Sequence, residues 1–266
     1  MEIVGFIMAL VIGVSLGLIG GGGSILAVPV LAYMFGLDEK IATAYSLFIV
    51  GTGALVGGLK HSQNKNVDWR TAMVFGLPAV VGVWIIRHFV VPALPDTLFT
   101  VSDFSFTRRM GMFGLLAILM LASAYSMLKD KKIEEGRIGN VIYNYPLILI
   151  EGIIVGAITG FVGAGGGFLI IPALMLLTNL DIKKVIGTSL IIIAFKSLLG
   201  FLLGDSLILF IDWQFLMVFS IITLVGIFLG LYLGKFIDGK KLKKGFGYFI
   251  LMMVLFIFIM EFLIKN

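Results

Sequence analysis

Long apolar segments alternate with short polar connections along the whole chain. Many of these segments approach or exceed the roughly 20 residues that a helix needs to cross the hydrocarbon core of a bilayer. A membrane barrel would instead show short segments of alternating hydrophobicity, and the chain has none. The pattern predicts an all-α, polytopic integral membrane protein with eight to ten apolar segments. These lie at about 3–19, 24–36, 41–59, 71–91, 110–128, 147–162, 167–178, 185–203, 214–234 and 246–264.

The connections between the apolar segments divide the chain near its middle. The most strongly polar connection covers residues 129–145, so we predict a first transmembrane repeat at 1–128, a linker at 129–145 and a second repeat at 146–266. The other connections are shorter or less polar, at 60–70, 92–109 and 234–245.

The two halves carry nearly the same glycine-rich motif. "GLIGGGGSILAVPVL" occupies residues 17–31 and "GFVGAGGGFLIIPAL" occupies residues 160–174. A shift of 143 positions superimposes them and also carries Ser46 onto Ser189, and one inserted residue later "VDW" meets "IDW". Such ordered matches indicate an internal duplication. Duplicated membrane halves are typical of secondary transporters, whose substrate site lies between the repeats.

The positions of the basic residues favour one layout of the repeats. If the chain turns back at the glycines, the segment 24–36 is a short return that is either discontinuous or re-entrant. The basic connections at 60–70, 129–145, 179–184 and 235–245 then share one side of the membrane. This arrangement obeys the positive-inside rule. It predicts inverted repeats in the cell membrane, with the basic connections in the cytoplasm.

The composition supports a membrane protein and narrows its chemistry. Hydrophobic residues make up 60% of the chain and charged residues only 13%, well short of the roughly 25% of a soluble domain. The net charge of +5 lies mainly in the connections, so we predict a lipid partner and no nucleic acid. The chain has no cysteine and two histidines, so we expect no disulfide, metal or other cofactor.

The glycine motifs are not nucleotide loops. "GLIGGGGS" lacks the lysine of a phosphate-binding loop, and its flanks are membrane helices. The outer glycines recur every three or four positions, which is typical of close helix packing. The dense glycines interrupt a helix, which a membrane tolerates only where the backbone faces protein or a cavity.

We therefore predict an anion site in which two helix breaks offer backbone N–H groups. Pro29 and Pro172 are predicted to bend the short helices that follow the breaks. The glycines assigned to the site are Gly20, Gly21, Gly22 and Gly23 in the first repeat and Gly163, Gly165, Gly166 and Gly167 in the second.

Lys196 is the most unusual polar residue at membrane depth. A charge there costs at least about 2.5–3.5 kcal/mol. It is either a counter-charge for substrate or a proton-coupling group; alternatively, it pairs with a buried carboxylate or extends to the interface. The candidate carboxylates are Glu151, Asp205 and Asp212.

Three hydroxyl residues on the helices after the breaks are candidate donors to the anion. They are Ser46, Thr188 and Ser189, and the alternative is that each bonds to its own helix. His61, at a membrane edge, is predicted to be an interfacial anchor or to line the access path. Arg87, His88 and Glu261 lie near segment ends, where we expect them to be solvated.

The paired motifs resemble those of the sulfite exporter TauE/SafE family of membrane permeases. The resemblance covers essentially the whole chain and rests on the doubled glycine motif together with "ATAYSLFIVGTGALVGGLKH" and "VIGTSLIIIAFKSLLG". It implies transport of a sulfur-containing or organic anion, such as sulfite or sulfoacetate, often outward and driven by an ion gradient. The motif copies differ at Gly21 and Ala164, so the two half-sites need not be equivalent.

These observations predict a secondary transporter of a small anion, with H⁺ or Na⁺ as the possible coupling ion. An anion channel is the alternative closest in chemistry. A membrane-embedded enzyme is a further alternative, but it requires a nucleophile–base pair or a metal cluster at membrane depth, which the sequence does not offer.

Overall fold

The computed structural model of the chain describes residues 2–101, 104–128, 145–178, 180–233, 236 and 239–261. Nearly all of the predicted linker, 129–144, lies outside these described residues. Among them, five helices are long and apolar enough to cross a membrane, and shorter apolar helices accompany them. The prediction of an all-α polytopic membrane protein is confirmed at this level.

The first half begins with α1 (Glu2–Ile19), which continues as a 3₁₀ segment (Gly20–Leu26), the short α2 (Ala27–Pro29) and a π-helical turn (Val30–Met34). Next come α3 (Glu39–Gln63) and α4 (Trp69–Ile85), the latter extended by a π-helical turn (Ile86–Val90) and α5 (Val91–Ala93). A hairpin of β1 (Thr97–Val101) and β2 (Phe104–Thr107) then leads into α6 (Arg108–Leu128).

The second half begins with α7 (Tyr145–Val162), a non-helical break and α8 (Gly167–Leu177). It continues through α9 (Ile182–Leu203), a 3₁₀ turn (Asp205–Leu207), α10 (Trp213–Leu233) and α11 (Gly239–Ile259).

Short polar side chains fix where several helices begin. The Asp38 carboxylate accepts a hydrogen bond from the Lys40 amide at the start of α3. The Asp68 carboxylate accepts one from the Thr71 amide at the start of α4. Each such cap satisfies an N–H group that has no partner within its helix. Aspartates in the connections therefore set the helix boundaries.

The hairpin is not predicted by the sequence pattern, in which 92–109 is only a polar connection. β1 and β2 pair antiparallel from Thr97 opposite Thr107 to Val101 opposite Phe104. The rings of Phe99 and Phe106 stack across the pair with centroids 4.8 Å apart. Aromatic cross-strand pairs of this kind stabilise a short sheet.

Glycines allow two pairs of helices, each drawn from both halves, to pack with their backbones in contact. Along α1 and α10, Gly13 lies against Gly226 and Gly17 lies against Gly230. Along α4 and α7, Gly156 lies against Ala79 and Gly160 lies against Val83. Positions rise together in both pairs, so α1 runs parallel to α10 and α4 parallel to α7. The outer glycines of the motifs thus pack helices.

Two long helices, α3 and α9, cross at the centre of the molecule. Gly51 lies against Leu198, whereas Gly58 lies against Ile191, so the two helices are antiparallel. This order puts Gly53 and Lys196 near the middle of the contact.

The chain turns back on itself after the first glycine motif. Gly23 packs against the backbone of Ser15 and Leu16, and the ring of Phe35 packs against Gly5. The segment 20–35 therefore runs antiparallel to α1, as the return layout requires.

Candidate functional site

The two glycine motifs meet inside the protein. A Cβ atom added to Gly21 would overlap the Cα atom of Gly167, and one added to Gly167 would overlap the backbone of Gly21. Ile193 of α9 lies beside Gly21 as well. The structure therefore brings one predicted break from each half into direct backbone contact beside the central helices.

The two breaks differ in conformation. Gly163, Gly165 and Gly166 have φ angles of +73°, +66° and +76°, in the left-handed region that favours glycine. The first motif instead forms the 3₁₀ segment that contains Gly20–Gly23. There the hydroxyl of Ser24 donates a hydrogen bond of 2.7 Å to the carbonyl of Gly21. The two copies of the motif, which differ in sequence at Gly21 and Ala164, thus also differ in backbone conformation.

Lys196 lies beside the second break and is completely buried. Its Nζ donates a hydrogen bond of 2.6 Å to Thr159 Oγ1, and the Thr159 side chain packs against Gly166. Among the described residues Lys196 forms no ion pair. Of the three predicted partners, Asp205 pairs with Arg87, and the Asp212 carboxylate accepts a hydrogen bond from the backbone amide of Phe215. The third, Glu151, forms no described bond to Lys196, whose Nζ bonds to Thr159. A protonated Lys196 is thus a buried cation with a polar neighbour and no described carboxylate.

Arg87 is a second buried cation, and the expectation that it is solvated is wrong. Only 1% of the residue is exposed, although it lies in the π-helical turn that continues α4 and whose Phe89 is exposed. Its Nη1 donates to Thr43 Oγ1 at 2.9 Å and lies 3.3 Å from Asp205 Oδ1. Thr43 in turn packs against Gly163. Both buried cations therefore reach the second break through a threonine.

The expectation of a solvated Glu261 is also wrong, since that residue is buried. Its Oε1 accepts hydrogen bonds of 2.9 Å from Arg109 Nε and from the Tyr33 hydroxyl. His88 is half-buried, and its ring stacks on Trp84.

The three predicted hydroxyl donors occupy different places. Ser46 Oγ is buried and has no hydrogen-bond partner among the described residues. Ser189 Oγ donates a hydrogen bond of 2.8 Å to the Ile186 carbonyl of its own helix. Thr188 Oγ1 accepts a hydrogen bond of 2.9 Å from the Asp68 amide, near the start of α4. Because α3 and α9 are antiparallel, the matched Ser46 and Ser189 lie toward opposite ends of the central pair, and the structure does not bring them together.

The prolines follow the breaks at different points. Pro29 is buried and ends α2, directly before the π-helical turn at Val30–Met34, whereas Pro172 falls within α8. The polar residues that sequence reasoning missed are Ser24, Thr43 and Thr159. Under the repeat shift, Thr159 corresponds to Leu16 and Ser24 corresponds to Gly167. Because neither counterpart is polar, comparing the two repeats could not identify Thr159 or Ser24 as a site residue.

Two cavities lie on opposite sides of the central contact. The first, here the His61 cavity, is about 120 Å³ and lies between α1, α3, α9 and α10. Gly53 is among its lining residues together with His61 and Leu190. The second, here the Arg87 cavity, is about 210 Å³ and is lined by Lys40, Arg87, Val91, Pro92, Asp205, Ile208 and Leu209. Within the described ranges, no group of three or more histidine, aspartate or glutamate side chains could hold a metal ion.

Comparison with known proteins gives a family and several relatives. The sequence model of the family described as "Sulfite exporter TauE/SafE" matches residues 5–257. A "Probable membrane transporter protein" of Xylella fastidiosa (strain 9a5c) is 30% identical over 252 residues, which cover 92% of this chain and 90% of the relative. A probable membrane transporter protein of Methanocaldococcus jannaschii is 27% identical over 203 residues, 74% of this chain and 68% of the relative.

A third relative, "Probable membrane transporter protein YdhB" of Bacillus subtilis, is 26% identical over 226 residues, 84% of each chain. No solved structure matches the chain.

Proposed function

The chain belongs to the sulfite exporter TauE/SafE family of membrane transporters, and from that premise we propose that it is a secondary carrier of a small anion. The anion is sulfur-containing or organic, such as sulfite or sulfoacetate. One observation carries the proposal: completely buried Lys196 has no described carboxylate partner and lies beside the point where the glycine breaks of both halves meet. A buried cation without a counter-ion is a strong electrostatic attraction for an anion in a medium of low dielectric.

The anion in this proposal is held by groups from both halves. Lys196 supplies the charge, and the Thr159 hydroxyl orients its ammonium group. Backbone N–H groups of the breaks donate to the oxyanion, other than those of Gly163 and Gly166, which already donate to the carbonyls of Thr159 and Ala164. The start of α8 contributes its positive dipole end. Ser46 retains an unpartnered hydroxyl that can donate, whereas Thr188 and Ser189 are engaged elsewhere in this conformation.

We propose further that the two halves are inverted repeats. Gly76 of α4 lies against Ile192 of α9 and Val83 lies against Gly200, so α4 and α9 are parallel. Likewise Tyr45 of α3 stacks on Phe215 of α10, while Gly53 lies against Ile227. Together with the pairs above, α1, α3 and α10 run one way and α4, α7 and α9 the other. Each of these six helices thus runs opposite to its counterpart under the repeat shift. This supports inverted repeats and a substrate site that opens alternately to the two sides of the membrane.

The two ends of the protein that face the membrane surfaces differ in charge, and this difference indicates which end is cytoplasmic. The basic face is formed by the 60–70 connection and the start of α9, which meet where Asn66 contacts Gly187. It carries Lys60, Lys65, Arg70, Lys183 and Lys184. The hairpin face carries Lys40, Arg108 and Arg109, but here carboxylates are paired with the arginines: Glu39 and Asp96 with Arg108, and Glu261 with Arg109. By the positive-inside rule we place the basic face in the cytoplasm of a cell-membrane protein.

This topology predicts a labelling pattern, and the absence of native cysteine makes it simple to test. Cysteines introduced at Lys65 and Lys183 should react with a membrane-impermeant maleimide only after the cytoplasmic side is exposed. A cysteine at Asp96 on the hairpin face should react in intact cells. Reaction of positions 65 and 183 from opposite sides would exclude the inverted arrangement.

The carrier is favoured over the two alternative functions by specific features. The His61 cavity and the Arg87 cavity share no lining residue, whereas a channel needs a continuous polar path. A membrane-embedded enzyme needs a nucleophile with an adjacent base, and the one hydrogen bond described for the Lys196 ammonium group goes to a threonine, Thr159. An ion gradient of H⁺ or Na⁺ is the proposed energy source.

Flux through purified protein in liposomes tests this function. We expect saturable uptake of radiolabelled sulfite or sulfoacetate, competed by an excess of the same unlabelled anion, and no flux of choline above empty vesicles. Imposed H⁺ and Na⁺ gradients identify the coupling ion. Saturable flux of a cation without flux of any tested anion would contradict the proposal.

A further inference from the structure

Arg87 offers more hydrogen-bond donors than its described surroundings use. The side chain is fully buried, yet its Nε and Nη2 atoms have no hydrogen-bond partner among the described residues. Its contact with Asp205 is a single long one, at 3.3 Å, and Asp205 Oδ2 also lacks a described partner. Arginine–carboxylate pairs are frequently bidentate, and their hydrogen bonds are about 2.7–2.9 Å long. This pair is therefore incompletely formed in a region where unpaired charge is costly.

The position of Arg87 connects a cavity to the proposed anion site. Arg87 and Asp205 both line the Arg87 cavity, as does Lys40 at the start of α3. On its other side Arg87 bonds to Thr43, which packs against Gly163 of the second break. An anion in the cavity would thus be one side chain away from the break that Lys196 borders.

We propose that Arg87 is a second anion-binding residue, on the hairpin-face side of the pathway, and that Asp205 is an internal counter-ion which the transported oxyanion displaces. The unpartnered Nε and Nη2 atoms form the edge of the guanidinium that binds two oxygens of a carboxylate, sulfite or sulfonate side by side. When the anion is absent, Asp205 pairs with Arg87 and so lowers the free-energy cost of burying that cation. This inference rests on the proposed anion transport and adds a residue that it does not require.

Binding and flux of sulfite in three variants of the full chain test the inference. In Asp205→Asn, the competitor is gone, so sulfite should bind at least about fivefold more tightly than to the unmodified protein. In Arg87→Gln/Asp205→Asn, no buried charge is left unpaired, so the fold is retained. Sulfite flux through this double variant should nevertheless fall at least about tenfold, because the guanidinium is absent.

The matched control is Arg109→Gln/Glu261→Gln, which removes an ion pair between a half-buried arginine and a buried glutamate on the hairpin face, away from the cavity residues. This control should transport sulfite at the unmodified rate. Native flux in Arg87→Gln/Asp205→Asn would overturn the inference and make the pair purely structural. Absence of anion flux in the unmodified protein would instead overturn the proposed function itself, so the two failures are distinguishable.

Discussion

Replacing Lys196 by methionine is expected to lower anion flux at least about 30-fold, because removing one member of a buried charge contact costs about 2 kcal/mol or more. Methionine keeps the length of the side chain and removes its charge. Since no described carboxylate pairs with Lys196, the substitution leaves no opposite charge buried alone. The protein should therefore still fold.

Two readouts separate a loss of binding from a loss of fold. Size-exclusion chromatography and thermal unfolding of Lys196→Met should match the unmodified protein, while flux of radiolabelled sulfite into liposomes falls. Lys183→Met is the control, because Lys183 lies on the same helix but is exposed at the basic face. Undiminished flux through Lys196→Met would show that the charge of Lys196 is not needed for transport and that its role is structural.

Replacing Gly167 by alanine is expected to destabilise the protein by about 1–3 kcal/mol and to abolish most transport, as overpacking of a close contact does. The added Cβ atom would overlap Cα, C and O of Gly21. Backbone cannot move aside as a flexible side chain can, so the two breaks would have to separate. Thermal unfolding and sulfite flux measure the two consequences.

The matched control for this substitution is Gly76→Ala, also in a membrane helix. The nearest atom that a Cβ at Gly76 meets is Ile192 Cγ1 at 3.7 Å, an ordinary contact. We expect native stability and flux for Gly76→Ala. If Gly167→Ala behaves in the same way, then the two breaks are not in the contact that the site requires.

The helices and the meeting of the two motifs were accessible from sequence for physical reasons. Apolar length decides whether a helix can cross a bilayer, so the spans follow directly from composition. Dense glycines interrupt such a helix, so the exposed backbone groups must be sheltered from lipid inside the protein. Because both repeats carry this interruption at matched positions, the sequence predicts that the two breaks lie in the same region of the interior. The contact between Gly21 and Gly167 is that place in the structure.

Other parts of the site could not be predicted because they depend on packing between distant segments. Arg87 looks like an interfacial residue along the chain, and only its contacts with Thr43 of α3 and with Asp205 after α9 reveal it as a buried cation. Repeat matching selected Ser189, but antiparallel packing of α3 and α9 places it away from Ser46. Thr159 lacks a repeat counterpart of its own type, so only the bond from Lys196 identifies it.

Calorimetric titration of sulfite into the purified full chain tests the central claim, that Lys196 binds the anion beside the two breaks. The unmodified protein should bind sulfite saturably, Lys196→Arg should retain measurable binding, and Lys196→Met should lose it at unchanged thermal stability. Equal sulfite affinity in the unmodified protein and in Lys196→Met would contradict the claim.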